Sequence, residues 1–584
     1  MELLIRLRFA KMGVLANRTM YLVFGFLLLA GFQTEALSYN DSASIKCLEN
    51  PYRPQYSGGI LRNPKFDRGL EGWSVLGMGT IGSGRSTTGN KFIAAYNRRS
   101  PNDSFTQGLY LQKDIYYIFS AWVQITEGDE AVVAAISYSR NSRKIIGSVI
   151  PQTGCWSMMK GGFVLDISTP AELYFETNNT NTELWVDSVS LQPFTKNQWR
   201  KHQLKKTNQL RKSKLRLHVF NKDGLNIQGA HIILNQMKPA FHLGCGIALT
   251  ILDNKDYQKW FSSRFTAMTF DNEMKWYFTE QTQGEENYTI SDAMFEFAEQ
   301  NGISVRGHNI LWDNIEQNPK WVQPLSGRDL VHYSIQRMGS VMSRYSGRVI
   351  GWDVLNENLH FNFFEDNIGP NASAVFYKIA QALDPETHRF LNEYNTLEYP
   401  EDLASIPSKY IKKVQEIRSF PGNEDMVVAI GLQGHFQRPN IPYIRACLDT
   451  LGAMNMPIWL TELTVDQKQP NQAEYLEEIM REVYSHRAVE GMIVWSGWKP
   501  TGCREMCLTD NQFKNLPAGD VVDKLINEWR TKKLEGVTDE NGVFQCQIVK
   551  GLYNVTIEHP KTGEIIQREI SVTRKNTEDI FVLL

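Results

Sequence analysis

Two glutamates in this chain each follow a short apolar run and a hydrogen-bonding neighbour: Asn356-Glu357 and Thr461-Glu462. A carboxylate pair facing across one cleft suits cleavage of a glycosidic bond. That reaction needs one protonated acid for the leaving oxygen and one ionised carboxylate to attack the anomeric carbon. Other apolar runs end in the same style. Asp271 and Asn272 follow one, with Lys275 close behind; His308 follows the next, then Trp312 and Asp313. Further runs end in Asn392-Glu393-Tyr394, in Gln433-Gly434-His435, and in Trp495 with Trp498. Asn272, Lys275, His308, Asn356 and Gln433 are the donors and acceptors that hydroxyl groups require, and Trp312, Trp495 and Trp498 offer flat faces to sugar rings. Taken singly, a strand-end glutamate is usually a solvated loop group and a lone histidine a satisfied hydrogen-bonder. Convergence of all of them is what would mark a site. No glycine-rich phosphate cradle and no His/Cys group of zinc spacing competes, so neither a cofactor nor a metal is expected.

The elements that must position these groups can be counted. Between about 238 and 532 the chain alternates short apolar runs with helical-period segments, for example Ser291 to Gln300 stopped by Asn301-Gly302. The runs begin at Leu243, Arg264, Ile303, Val349, Arg389, Met426, Ile458 and Gly491. Eight strand–helix units over about 290 residues is the arithmetic of a (β/α)8 TIM barrel, whose chemistry lies at the C-terminal ends of its strands. Seven of the eight runs end in polar, ionisable or aromatic groups, as that architecture requires of a site.

The remainder divides into β-rich pieces. Residues 58–194 carry strand-like runs between Gly/Asn/Ser turns and read as an all-β sandwich. Residues 195–214 are polar and basic and read as a linker, a solvated spacer or short helix. Residues 215–237 and 535–584 share a strand–turn–strand style similar to small transthyretin-like sandwiches, which suggests one β-domain split by insertion of the barrel. With 62 basic against 64 acidic residues the net charge is −2, which excludes a broad basic surface and hence nucleic acid as the partner.

Residues 1–37 have the form of a signal peptide: Arg6, Arg8, Lys11 and Arg18, the apolar run Tyr21 to Ala30, then Gly31, Ala36 and Ser38. The run falls short of the ~20 residues that span a bilayer. The expectation is a secreted, extracellular or cell-wall protein with no stable membrane insertion after cleavage. Sequons at Asn40, Asn102, Asn178, Asn287, Asn371 and Asn554 agree with that compartment. Cys503 and Cys507 are spaced to bridge within one loop there, and an odd total of 7 cysteines leaves at least one thiol unpaired or intermolecular.

At these residues the sequence resembles a known family. Asp271-Asn-Glu-Met-Lys-Trp276, Arg306-Gly-His-Asn-Ile-Leu-Trp312, Trp352-Asp-Val-Leu-Asn-Glu357, Gln433-Gly-His435 and Trp459-Leu-Thr-Glu462 look like the signatures of family 10 glycoside hydrolases, retaining endo-1,4-β-xylanases with a TIM barrel. Gly502-Cys-Arg-Glu-Met-Cys507 and Asn515-Leu-Pro-Ala-Gly-Asp520 look like the plant branch. Residues 60–194, with Gly69-Leu-Glu-Gly-Trp73, resemble the carbohydrate-binding modules attached to such enzymes. The resemblance implies Glu357 as acid/base, Glu462 as nucleophile, Asn356 on the 2-hydroxyl of the sugar being cleaved and His435 on the nucleophile. It implies Asp271, Asn272, Lys275, His308 and Trp312 as grips on the non-reducing side, with Tyr394, Gln433, Trp495 and Trp498 completing a cleft for xylan or xylo-oligosaccharide.

Departures from the pattern carry expectations of their own. Asp271 stands where the family has Glu, and Asp313 where it often has His. Thr464 stands where the family has an Asp that supports the histidine beside the nucleophile, so His435 is expected to be a poorer cation and less firmly oriented. Xylan transglycosylation and simple wall binding are the competing readings. In the sandwich, Tyr96, Trp122 and Trp185, with Glu176, form a candidate sugar platform, although rings on alternating strands are more often core.

Overall fold

The computed structural model describes residues 37–584 apart from 140, 141, 496, 574 and 575; the expected signal peptide lies outside the described residues. The catalytic-sized part is a closed parallel barrel. Its strands are β1 (His242–Ile247), β2 (Ala267–Phe270), β3 (Ser304–Gly307), β4 (Val349–Asp353), β5 (His388–Glu393), β6 (Val428–Leu432), β7 (Ile458–Val465) and β8 (Val489–Val494). Each pairs in parallel with the next, and β8 returns to β1 with His242 beside Gly491. Covered by helices outside and by each other inside, the strands are buried on both faces, which is why they read as continuous apolar runs instead of alternating ones. Ala267, Phe390, Ala429, Trp459 and Ile493 fill the barrel interior. The polar strand ends project beyond this plug.

The helices follow the same logic. Thr289–Gln300 buries Ser291, Met294, Phe295, Phe297 and Ala298 on one stripe, and Gly302 at φ 62° ends it in the left-handed conformation that glycine adopts freely.

In the sandwich, ten strands among the described residues run from Ser74 to Thr195. They form two five-stranded halves joined through one registered pair, Gly147 opposite Gly161. A Cβ on Gly161 would lie 1.9 Å from the Ile146 carbonyl oxygen, so the junction requires a residue without a side chain. Phe105 and Phe175 from one half meet Phe119 and Ile93 from the other in the shared core.

Residues 195–214 are not a solvated spacer. Lys196–Arg211 is a helix started by a reciprocal capping box between Thr195 and Gln198. Its basic side chains dominate the composition and conceal two anchors one turn apart. Trp199 is buried and donates its indole N–H to Glu482 at 2.7 Å, and the Gln203 amide donates to the same carboxylate at 2.6 Å. Glu482 also pairs with buried Arg445. Nearby, Lys160 of the sandwich and Asp449 of the barrel form a fully buried ion pair at 2.7 Å. Sandwich, helix and barrel thus share a polar, specifically matched contact.

The two flanking segments do pair. Lys212–Phe220 lies between Val543–Val549 and Thr577–Leu583, and His231–Pro239 lies between Leu534–Val537 and Gly551–Glu558. Leu215, Leu217 and Ile232 close one core with Ile548, Val555 and Ile557. The chain leaves this small β-domain at Pro239, builds the barrel, and re-enters at Leu534.

Candidate active site

The ends of the barrel strands open into a cavity of about 280 Å³ lined by Asp271, Lys275, His308, Trp312, Asn356, Glu357, Gln433, His435, Glu462 and Trp495, together with Thr464, Lys499, Arg504, Glu505 and Met506. Ten of the thirteen catalytic and substrate-binding residues read from sequence therefore converge.

Glu357 sits just past β4 with φ 60°, a left-handed conformation that costs a non-glycine residue about 1–3 kcal/mol. Its N–H is held by the Asn392 carbonyl at 3.0 Å. The carboxylate accepts from the Trp312 indole N–H at 2.8 Å and from the Gln433 amide at 3.0 Å. Burial pushes its acidity constant up to about 7, assisted by the charges of Glu393 and Glu462 and opposed by those two neutral donors.

Glu462, on β7, is more deeply buried but lives among cations. Burial alone would raise it. The His435 hydrogen bond, with the charges of His308, His435 and Lys275, outweighs burial and holds it at about 2. His435 Nε2 lies 3.4 Å from one Glu462 oxygen, and the Asn392 amide donates to the other at 2.9 Å. Asn392 also donates to Asn356 Oδ1 at 2.9 Å and accepts from the Thr461 hydroxyl at 2.6 Å, so one wholly buried side chain ties β5 to β7 and to the residue before Glu357. With its oxygen engaged, Asn356, one of the cavity-lining residues, keeps a buried amide nitrogen with no hydrogen-bond partner among the described residues. A buried donor left unmatched is costly unless a ligand arrives to accept from it.

His308 Nδ1 meets buried Asp353 at 2.7 Å, and Asp353 also pairs with Arg306, which fixes the orientation of the ring. Lys275 Nζ lies 4.7 Å over the Trp312 ring and 6.0 Å from the Trp495 ring, and burial lowers its acidity constant against the pull of Glu462, Asp271 and Glu357. Gly434 at φ 93° turns the chain between Gln433 and His435, while Glu398 accepts both the Gly434 and His435 N–H at 2.9 Å.

Three predicted positions are placed elsewhere. Asn272 turns to the Tyr277 hydroxyl at 2.6 Å and does not line the cavity. Tyr394 stacks on His360 with centroids 3.8 Å apart, just behind the lining. Trp498 is buried among Tyr257 and Phe513, with its N–H on Asn511 at 3.0 Å, and belongs to a core cluster; only its sequence neighbourhood suggested a sugar contact. Asp313 is a wholly buried clasp on Asn358 and the Phe364 N–H. In the sandwich, Trp122 is buried against Phe92, Ala94 and Trp156 with Tyr52 edge-on at 5.4 Å, and Glu176 pairs with Arg143, so the suggested platform is largely core.

The expectation of an unsupported His435 is corrected. Thr464 does stand beside it, its hydroxyl 2.9 Å from Nδ1, but the carboxylate of Glu505 reaches the same nitrogen at 3.2 Å. Glu505 lies inside the loop closed by the Cys503–Cys507 disulfide. Against the penalty of burial, hydrogen bonds to Glu462 and Glu505 raise His435 to about 10. Glu505, Arg504 and Lys499 were missed because they stand at no strand end: all three lie further along the long loop after β8. Lys499 pairs with Asp271 at 2.5 Å. A second disulfide, Cys47–Cys155, joins the sandwich to the segment before it; its 108-residue separation gave no local signal.

Residues 233–522 match the family model for glycosyl hydrolase family 10, and residues 58–183 match one for a carbohydrate-binding domain. An Arabidopsis thaliana protein named endo-1,4-beta-xylanase 5-like is 39% identical over 565 residues, covering 94% of this chain and 95% of its own. The chain belongs to glycosyl hydrolase family 10. Endo-1,4-beta-xylanase 4 of the same plant is 38% identical across 95% of this chain and 96% of its own. Among solved structures, xylanase 10B of Thermotoga petrophila in complex with xylobiose covers 50% of this chain and 94% of its own at 22% identity and a TM-score of 0.44. This family member is thus a TIM-barrel glycoside hydrolase with an N-terminal carbohydrate-binding domain.

Proposed function

We propose that the chain is a secreted endo-1,4-β-xylanase acting on cell-wall xylan by a retaining, double-displacement mechanism. The observation that carries this reading is the opposed state of two carboxylates on one cavity: Glu357 protonated up to about pH 7, Glu462 ionised down to about pH 2. Those are the states a general acid and a nucleophile need in the first step. Glu357 donates its proton to the leaving glycosidic oxygen while Glu462 attacks the anomeric carbon and forms a glycosyl ester. Glu357, now a base, takes a proton from water as that water displaces Glu462. Asn356 offers its unmatched amide to the sugar being cleaved, and Trp312 and Trp495 offer ring faces.

Four of the six sequon asparagines, Asn102, Asn178, Asn287 and Asn371, are exposed, and two disulfides are formed, which supports an oxidising compartment. Asn554 is only half-exposed on a central strand, the poorest acceptor among them. Incubation with xylo-oligosaccharides, followed by mass and by the anomeric proton signals of the first products, tests the reading. Shorter sugars released first as the β-anomer are expected. Longer products would replace hydrolysis by transfer, α-anomers would overturn retention, and unchanged sugars would overturn catalysis.

A further inference from the structure

The loop after β8 brings a third carboxylate to the site from outside the barrel strands. Glu505 is partly exposed and gives up one oxygen to two donors at once: the Thr464 hydroxyl hydrogen-bonds to Oε2, and His435 Nδ1 lies 3.2 Å from the same atom. His435 thereby spans two carboxylates, Glu505 at Nδ1 and Glu462 at Nε2. Both ring nitrogens can donate only if the imidazole is doubly protonated. The loop is fastened well beyond what an exposed glutamate needs. Cys503 and Cys507 close it, Met506 is buried within it, and the Gln467 N–H binds the Glu505 carbonyl at 2.8 Å.

We propose that Glu505 is the positioning residue of the nucleophile, a carboxylate delivered by the disulfide-closed loop to keep His435 cationic and aimed at Glu462. It touches neither the cleaved bond nor Glu462 and acts through the imidazole. The groups facing this relay are Glu462, Thr464 and Glu505 around the ring, Glu398 beneath its backbone N–H, Arg504 beside Glu505, and Lys275, His308 and Asn392 around Glu462. None of the others puts a negative charge on Nδ1, so removing Glu505 leaves that nitrogen only a hydroxyl. Glu505 itself is held at about 2, first by its His435 hydrogen bond against the cost of burial, so its charge persists through the working range. The role rests on Glu462 as nucleophile, and the test separates the two.

The test is the titration of His435 by NMR in isotope-labelled full-length protein, assigned by a His435→Asn control. Glu505→Gln keeps the shape and removes the charge; the His435 midpoint is expected to fall by one unit or more, about tenfold in its proton affinity. Thr464→Asp added to Glu505→Gln puts a carboxylate back at Nδ1 and is expected to restore the midpoint. Cys503→Ser with Cys507→Ser loosens the loop and is expected to lower it by less. In kcat/KM against pH, the acid limb of Glu505→Gln is expected to stay in place, because His435 with its midpoint lowered from about 10 is still fully cationic where Glu462 titrates. A His435 midpoint unchanged by Glu505→Gln, or one that Thr464→Asp does not restore, overturns the proposal. An inactive parent protein in which the midpoint still moves would instead overturn the catalytic reading and leave the relay standing.

Discussion

Glu357 and Glu462 share a cavity and a side-chain type, and burial raises both, yet one is pushed up to about 7 and the other down to about 2. The difference lies in who donates to them. Glu357 is met by an indole N–H and an amide, neutral groups whose hydrogen bonds are too weak to repay the loss of water. Glu462 is met by an imidazole that can carry charge, with Lys275 and His308 behind it. Burial pushes both upward, and the charge of the partners decides the sign. The pair then occupies its productive state between about pH 2 and pH 7, with activity falling above that as Glu357 loses its proton.

The largest effects come from erasing either member. Glu462→Gln is expected to lower kcat by on the order of 10⁴-fold or more on every substrate, because no ester can form. Glu357→Gln is expected to match it on xylan but to recover most of the first step on aryl xylosides, whose leaving groups need no proton. The release of aryl alcohol in a stopped-flow burst checks this; equal recovery by both variants would erase the division of labour. Next in size is His435→Asn, which removes the main cation from Glu462. The acidity constant of Glu462 rises, so kcat/KM is expected to be lost first at acid pH while the limb near pH 7 stays within a fraction of a unit. An acid limb that stays in place would mean Lys275 and His308 suffice.

That much of this contrast was legible in sequence follows from where its residues lie. Glu357, Gln433, His435 and Glu462 lie at or near the C-terminal ends of strands, and a period of strand and helix announces where those ends fall. The barrel itself was legible because strands buried on both faces leave uninterrupted apolar runs. Glu505 stands at no strand end: it sits in a loop whose course is set by the Cys503–Cys507 bridge and the burial of Met506, neither of which tells sequence that His435 is near. Trp498 failed in the opposite way. Its position after β8 promised the cleft, but Tyr257 and Phe513 drew it inward, and composition cannot distinguish a ring that stacks on sugar from one that stacks on protein. The spacer reading of 195–214 failed because two buried anchors, Trp199 and Gln203, sit among mostly basic and polar neighbours.

The smallest effect probes the neutral side. Trp312 and Gln433 both stabilise ionised Glu357, so they pull against the burial that raises it. Removing one donor at a time should therefore raise the acid further. Trp312→Phe and Gln433→Leu are each expected to move the alkaline limb of kcat/KM upward by about half to one unit, from the ~0.5–1.5 kcal/mol of a typical hydrogen bond. The acid limb should not move, since neither side chain hydrogen-bonds the Glu462 carboxylate and the Gln433 carbonyl that accepts the Glu462 N–H at 2.8 Å is kept in both variants. Both side chains also line the cavity, so rates will fall through lost sugar contacts; the limb position is the informative quantity because it is independent of the height of the profile. A downward shift would mean that water entering the emptied space rehydrates Glu357 by more than the lost bond had stabilised its anion. The acid's state would then be set by the dryness of the cleft, and the contrast with Glu462 would rest on solvent access as much as on the charge of the donors.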